Sequence, residues 1–295
     1  MRITSTMMME TTLHNIELNQ ERLQGLQSQL SSGSRISKPS DDPIGTAQAI
    51  GLQQNIDAST QYATNMDQAA SWLNLTDSTL GGLTQAVSRA NELAVQASNG
   101  TLSPSDLSAM QAEVTQLQQQ ALSVSQTKNG TYFIFSGTRS NQPGYVQSAN
   151  SQTTPAAYQG NNQPIKIEVA PGVSLAVNAN AQSTFDPVFQ AFTQLQAGLQ
   201  TNNQAAIQAS LTQFNTAVDA VNLTRSQIGA TTNRVQFMQQ QQQTQQVSLA
   251  GQLSLVKDAD MAQAISQFSM AQTTYQASLK ATAQALQPSL LDYLK

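Results

Sequence analysis

The chain has 295 residues, one histidine, no cysteine, a formal net charge of −4, and only 10% charged residues. A disulfide framework, a cysteine-built zinc site and a cysteine nucleophile are excluded, and a single His leaves little material for proton-transfer chemistry. The 13 basic residues against 17 acids make no basic footprint for nucleic acid.

The first segment is apolar and periodic. Leu13, Ile16, Leu23, Leu26 and Leu30 recur at steps of three and four, with Asn19 in the one polar place. A stripe of that width belongs to a helix lying against another helix. The apolar stretch ahead of it is interrupted by Thr6 and closed by Glu10, with no small-residue cleavage site following, so no signal peptide is expected. Gly33 suits the left-handed residue that closes a helix, and Pro39 cannot continue one. Ser40, Asp41, Asp42 and Pro43 then read as a helix start: a capping oxygen, acids at the positive end of the dipole, and proline in the first turn.

From Leu52 the steps become strictly regular, through Asn55, Ser59, Tyr62, Met66, Ala69, Leu73, Thr76, Leu80, Leu83, Val87, Ala90 and Ala94 to Ala97. A period of 3.5 sustained this long predicts helices packed like a coiled coil, with Gly81-Gly82 as the candidate interruption. Asn99-Gly100 stops it. Ser103-Pro104-Ser105-Asp106 starts another helix, striped by Leu107, Met110, Val114, Leu117, Ala121 and Val124.

After Asn129-Gly130 the period falls to two. Tyr132–Phe135 reads as a short strand, and Ile165–Val169 and Val173–Val177 flank Ala170-Pro171-Gly172 as a β-hairpin. Helix returns from Asp186-Pro187, striped by Ile207, Leu211, Phe214, Val218, Val221, Arg225, Ile228, Thr232 and Val235. The glutamine run Gln239–Gln243 interrupts that stripe and is expected to be an uncharged polar face. A last stripe follows a register slip near Asp258 and Asp260: Met261, Ile265, Phe268, Tyr275, Leu279 and Leu286, with Gln272 and Thr282 completing the steps. The uncharged run Met261–Leu279 is far too polar to span a membrane.

These elements predict a mainly α fold with a small β insert, an elongated hairpin-like rod of long coiled-coil-type helices. Terminal helices (1–42 and 258–295) pair on assembly, a helical rod (43–131 and 186–257) follows, and a β-domain (132–185) sits at the far end. Asp41, Asp42, Asp258 and Asp260 precede helices, so capping and hinge roles are expected of them rather than metal binding. The terminal stripes could pair within one monomer, but two lone helices leave their outer sides exposed, and apolar surface of that extent marks an interface.

Leu30-Ser-Ser-Gly-Ser-Arg-Ile36 with Asp41-Asp42 resembles the N-terminal signature of the flagellin superfamily. Asp258-Ala-Asp-Met-Ala262, Gln284-Ala-Leu-Gln-Pro288 and Leu290-Leu-Asp-Tyr-Leu294 resemble its C-terminal one. The opening Met1–Met8, the double-proline Pro39-Ser-Asp-Asp-Pro-Ile44, Gly100–Ser103, Tyr132–Gly137 and Tyr158-Gln-Gly160 look more like its hook-associated junction members than its filament subunits. The resemblance implies an extracellular structural protein of the flagellum with no enzymatic activity, cofactor or metal. It implies export without a cleaved signal, through the flagellar type III channel. The implied partners are hook-associated protein 1, flagellin, copies of itself in a ring and an export chaperone, with no nucleic acid and no membrane. The alternatives are a filament flagellin, or a secreted binding protein that uses the β-domain.

Overall fold

A computed structural model of the protein describes residues 5–99, 102–147 and 155–285. Among them run α1 (Ser5–Ser32), α2 (Pro43–Ala97), α3 (Pro104–Ser125), β1 (Lys128–Asn129), β2 (Tyr132–Phe133), β3 (Tyr145–Val146), β4 (Ala157–Tyr158), β5 (Lys166–Ala170), β6 (Val173–Ala176), α4 (Ala181–Thr201), α5 (Gln204–Lys257) and α6 (Met261–Ala285). The fold is mainly α with a small β insert, as the periodicities predict. Residues form two compact units, 1–58 with 245–295, and 59–244. Both boundaries fall inside α2 and α5, not at the helix ends near 42 and 258.

In the unit of residues 59–244, α2 and α5 run antiparallel. Gln242 donates to the Ser59 hydroxyl at 2.6 Å, Gln239 to Asp67 at 2.8 Å, and the Arg225 guanidinium to Asp77 at 2.9 Å. The glutamine run is therefore a working part of the seam, since Gln242 takes a place where an apolar residue would break no step. Nor is α2 interrupted: it continues through Gly81 and Gly82.

The α2 stripe is buried as its spacing dictates, from Met66 through Leu73, Leu80 and Val87 to Ala94. The α5 stripe is buried at Ile207, Phe214, Val221, Ile228 and Val235, but the alternate places belong to Ser210, Ala217 and Thr224. Leu211, Val218 and Arg225, one residue further on, are only half-buried. Two positions compete at every second step of a 3.5-residue repeat, and the small side chain occupies the crowded one.

The short helices α3 and α4 complete this unit. α3 starts with a capping box, Ser103 and Asp106 bonding each other's backbone, with Pro104 in the first turn. α4 begins at Ala181 on an Asn180 cap and carries Pro187 inside it, so the helix returns earlier than Asp186. Asn202 in the left-handed conformation ends α4, and Asn203 accepts from the amides of Ala205 and Ala206 to start α5.

Among the described residues the β region holds three two-stranded antiparallel sheets: β1 with β2, β3 with β4, and β5 with β6. The β5–β6 hairpin turns at Gly172, with an irregularity between Glu168 and Ala170. These strands do not form a separate domain. Ile134, Phe135, Tyr145, Val169 and Leu175 are buried in the same core as the helices. Tyr145 packs on Phe185 and Phe189 of α4 at ring-centroid distances of 5.6 and 5.0 Å. Its hydroxyl donates to Asp186 at 2.7 Å, and burial pushes its pKa far above the usual tyrosine range.

Candidate assembly surfaces

In the other unit, α1 and α6 pair antiparallel within one chain. Their Cα atoms approach within 8 Å, and the Asn19 amide donates to Ser278 Oγ at 3.1 Å. The polar step in the first stripe thus has its partner across the seam. On α1, Leu26 is buried, Ile16, Leu23 and Leu30 are half-buried, and Leu13 is exposed.

On α6 the seam runs one step aside from the sequence stripe. Ala264, Phe268, Ala271, Tyr275, Ser278 and Thr282 are buried or half-buried, at alternating steps of four and three. Phe268 and Tyr275 belong to both registers. Met261, Ile265 and Leu279 do not face α1: Ala264 is 5% exposed, whereas its neighbour Ile265 is 55% exposed. Small residues at the contact let the backbones come close, and this displaces the large apolar side chains outward. Leu286 lies outside the described residues. Exposed apolar residues missed by the stripes, Met7, Met9 and Leu18 on α1 and Met270 on α6, add to the apolar surface. Ala264, Ala271 and Ser278 form a second regular heptad in the sequence, but periodicity alone does not say which of the two registers faces the neighbour.

A short clip joins the two ends. Gly33, at φ 67°, closes α1 by donating to Gln29, and its carbonyl accepts from the Ala259 amide at 2.9 Å. Ser34 and Asp258 form a backbone bridge. Arg35 donates its amide to the Lys257 carbonyl, one guanidinium nitrogen to the Val256 carbonyl at 2.8 Å, and another to Asp42 at 3.1 Å. Asp42 is the residue that caps α2, its Oδ1 accepting from the Gly45 amide at 2.8 Å, with Pro43 first in the helix. Asp41 instead holds the preceding turn, accepting from the amides of Ser37 and Lys38. Pro39 and Ser40 are exposed in that turn. Asp260 caps α6 through the amides of Ala262 and Gln263, and Asp258 accepts from the Ser254 hydroxyl. The Gly45 amide and the Arg35 guanidinium hold the Asp42 carboxyl below its ordinary range. Sequence reasoning missed Arg35, whose role depends on carbonyls more than two hundred residues away in the chain.

All four acids are thus spent on backbone amides, hydroxyls or one ion pair. No group of three or more His, Asp or Glu among the described residues could hold a metal ion, and no described helix is long and apolar enough to cross a membrane.

Two family models match the chain: the bacterial flagellin N-terminal helical region over residues 3–140, and the bacterial flagellin C-terminal helical region over residues 211–294. The chain belongs to the flagellin superfamily, whose members build the bacterial flagellum as structural proteins. Within it, the chain is similar along almost its whole length to flagellar hook-associated protein 3 of Escherichia coli K12, at 26% identity over 95% of this chain and 96% of that protein. Flagellin of Salmonella muenchen is 39% identical, but over only 36% of this chain and 21% of that protein. Among solved structures, a flagellar hook-associated protein of Vibrio parahaemolyticus has the same fold, with a TM-score of 0.68 at 22% identity, covering 74% of this chain and 99% of that one. FlgL of Bacillus cereus matches with a TM-score of 0.61 at 21% identity, covering 69% and 99%.

Proposed function

We propose that the protein forms the ring of copies that joins the hook, through hook-associated protein 1, to the flagellin filament. It is exported unfolded through the flagellar type III channel, with an export chaperone on its C-terminal segment. The observation that carries this reading is the reach of its similarity. Likeness to hook-associated protein 3 extends over nearly the full length of both chains, while likeness to a flagellin stops at about a third of this one.

The assembly surface is the outer side of the α1–α6 pair. Leu13, Leu18, Met261, Ile265, Met270 and Leu279 are all exposed there, and exposed apolar surface of this extent favours burial against a neighbour. Gly33, Pro39, Ser40, Asp41, Asp42, Pro43, Asp258 and Asp260 set the hinge and caps behind it. A junction subunit needs one axial face matched to the hook side and the other to flagellin, so it stacks poorly on itself.

One observation favours a second reading. The filament 30.7 kDa core protein of Treponema maltophilum is 25% identical over 91% of this chain and 90% of that protein. Electron microscopy of concentrated pure protein separates the two. Short closed or amorphous species are expected, with flagellin spilled into the medium by cells lacking the protein; extended self-assembled tubes would identify a filament subunit.

A further inference from the structure

We propose that a groove beside the clip, where residues 36–39 meet α2 and α5, receives α1 of a second copy of this chain. The inference rests on the reading above, that copies assemble, and adds which surfaces meet. The groove is a pit of about 240 Å³ whose lining includes the apolar Ile36, Ala49, Ile50 and Leu253 together with Lys38 and Lys257. Ile50 is 54% exposed although it faces an apolar pit. Neither lysine has a carboxylate partner among the described residues. The Thr46 hydroxyl in the lining is buried without a hydrogen-bond partner. The lining therefore combines apolar side chains with two lysines that lack a carboxylate partner among the described residues.

The matching chemistry is on α1. Glu10, Leu13 and Glu17 follow each other at steps of three and four, so they share one helix face, and all three are exposed. Glu21 extends the strip by one turn. None of these carboxylates is in an ion pair among the described residues. An apolar side chain flanked by acids complements a lining of apolar side chains and unpaired lysines.

The chain cannot satisfy itself in this way. Leu13 lies 19 residues before Ser32, the end of α1, which is about 28 Å along a helix axis. That helix is paired with α6, and its near end is pinned at the clip. The strip must then fit the groove of another molecule. Such a contact joins two different patches, and a contact of that kind generates a ring when its rotation closes.

The absence of cysteine makes the test clean. Flagella are isolated from cells whose only copy carries Leu13→Cys and Ile50→Cys together, then oxidised mildly. A ladder of disulfide-linked multimers of this chain is expected, and neither single variant gives it. Glu10→Lys with Glu17→Lys, added to that pair, is expected to weaken the cross-link about tenfold, and adding Lys38→Glu with Lys257→Glu restores it. Normal flagella containing the variant without the ladder, or cross-links only to a different flagellar protein, would overturn the contact and leave the junction reading standing. Absence of the protein from the flagella would overturn the junction reading and the contact with it.

Discussion

Single residues in this chain act mostly through the backbone, because few of them carry charge. Asp42 is the clearest case, since it caps α2 with one oxygen and holds Arg35 with the other. Its carboxyl titrates below the ordinary range, so its contribution to the clip is present above the unfolded carboxylate pKa. That contribution disappears as pH falls through the lowered folded value. Exchange of the Gly45 amide should accordingly be protected at neutral pH, lose protection on acidification, and be unprotected at both in Asp42→Ala. Glycines divide by surroundings. A Cβ on Gly82 meets nothing, and one on Gly81 meets only Arg225 at an ordinary 3.9 Å. Gly81→Ala and Gly82→Ala should each stabilise α2 by about 0.5–1 kcal/mol in urea unfolding. Gly137 is the opposite: at φ 61° it sits against the Asn161 carbonyl, so Gly137→Ala should cost at least about 2 kcal/mol.

At the scale of elements, the close α1–α6 seam depends on small residues. Ala264→Leu would force a large side chain into a seam whose backbones already approach within 8 Å, at a cost of about 1–3 kcal/mol. Ile265→Ala, one residue on, removes an exposed side chain and should leave pairing unchanged while weakening assembly. Amide protection along α1 and incorporation into flagella distinguish the two variants. Among the described residues no third layer covers the pair, whereas α2 near Leu80 is covered on its buried face by the shared core. In dilute monomer, amides near Leu23 and Phe268 should therefore exchange faster than those near Leu80. Equal protection at these positions would show that the terminal pair is already fully stable alone.

For the whole molecule, the decisive fact is that the β region is not an appendix. Phe135 and Tyr145 are fully buried against α4 residues Phe185 and Phe189. Excising residues 131–185 would remove three of those four rings and the start of α4. We expect this deletion to lower the melting temperature of the helical unit sharply rather than leave it intact, because each large aromatic lost from a packed core costs about 3–5 kcal/mol. A deletion variant that melts like the full chain would show that the two layers fold independently.

The helices and the buried faces of α1 and α2 were legible in the sequence because a 3.5-residue repeat states which face is buried, and Asn19, Gly33, Pro43 and Asp106 are local signals. Family membership was legible as well, since the residues that carry it lie in the clip and the two terminal segments. Three things were decided only by the tertiary structure. The choice between Ala264 and Ile265, or between Ala217 and Val218, depends on how closely the neighbouring backbone approaches, and periodicity does not contain that distance. The bonds from Arg35 to Val256 and Lys257, and from Gln242 to Ser59, join residues that are remote in the chain. Burial of Tyr145 beneath α4 requires a second element to cover it, and a strand of two residues carries no pattern long enough to announce one.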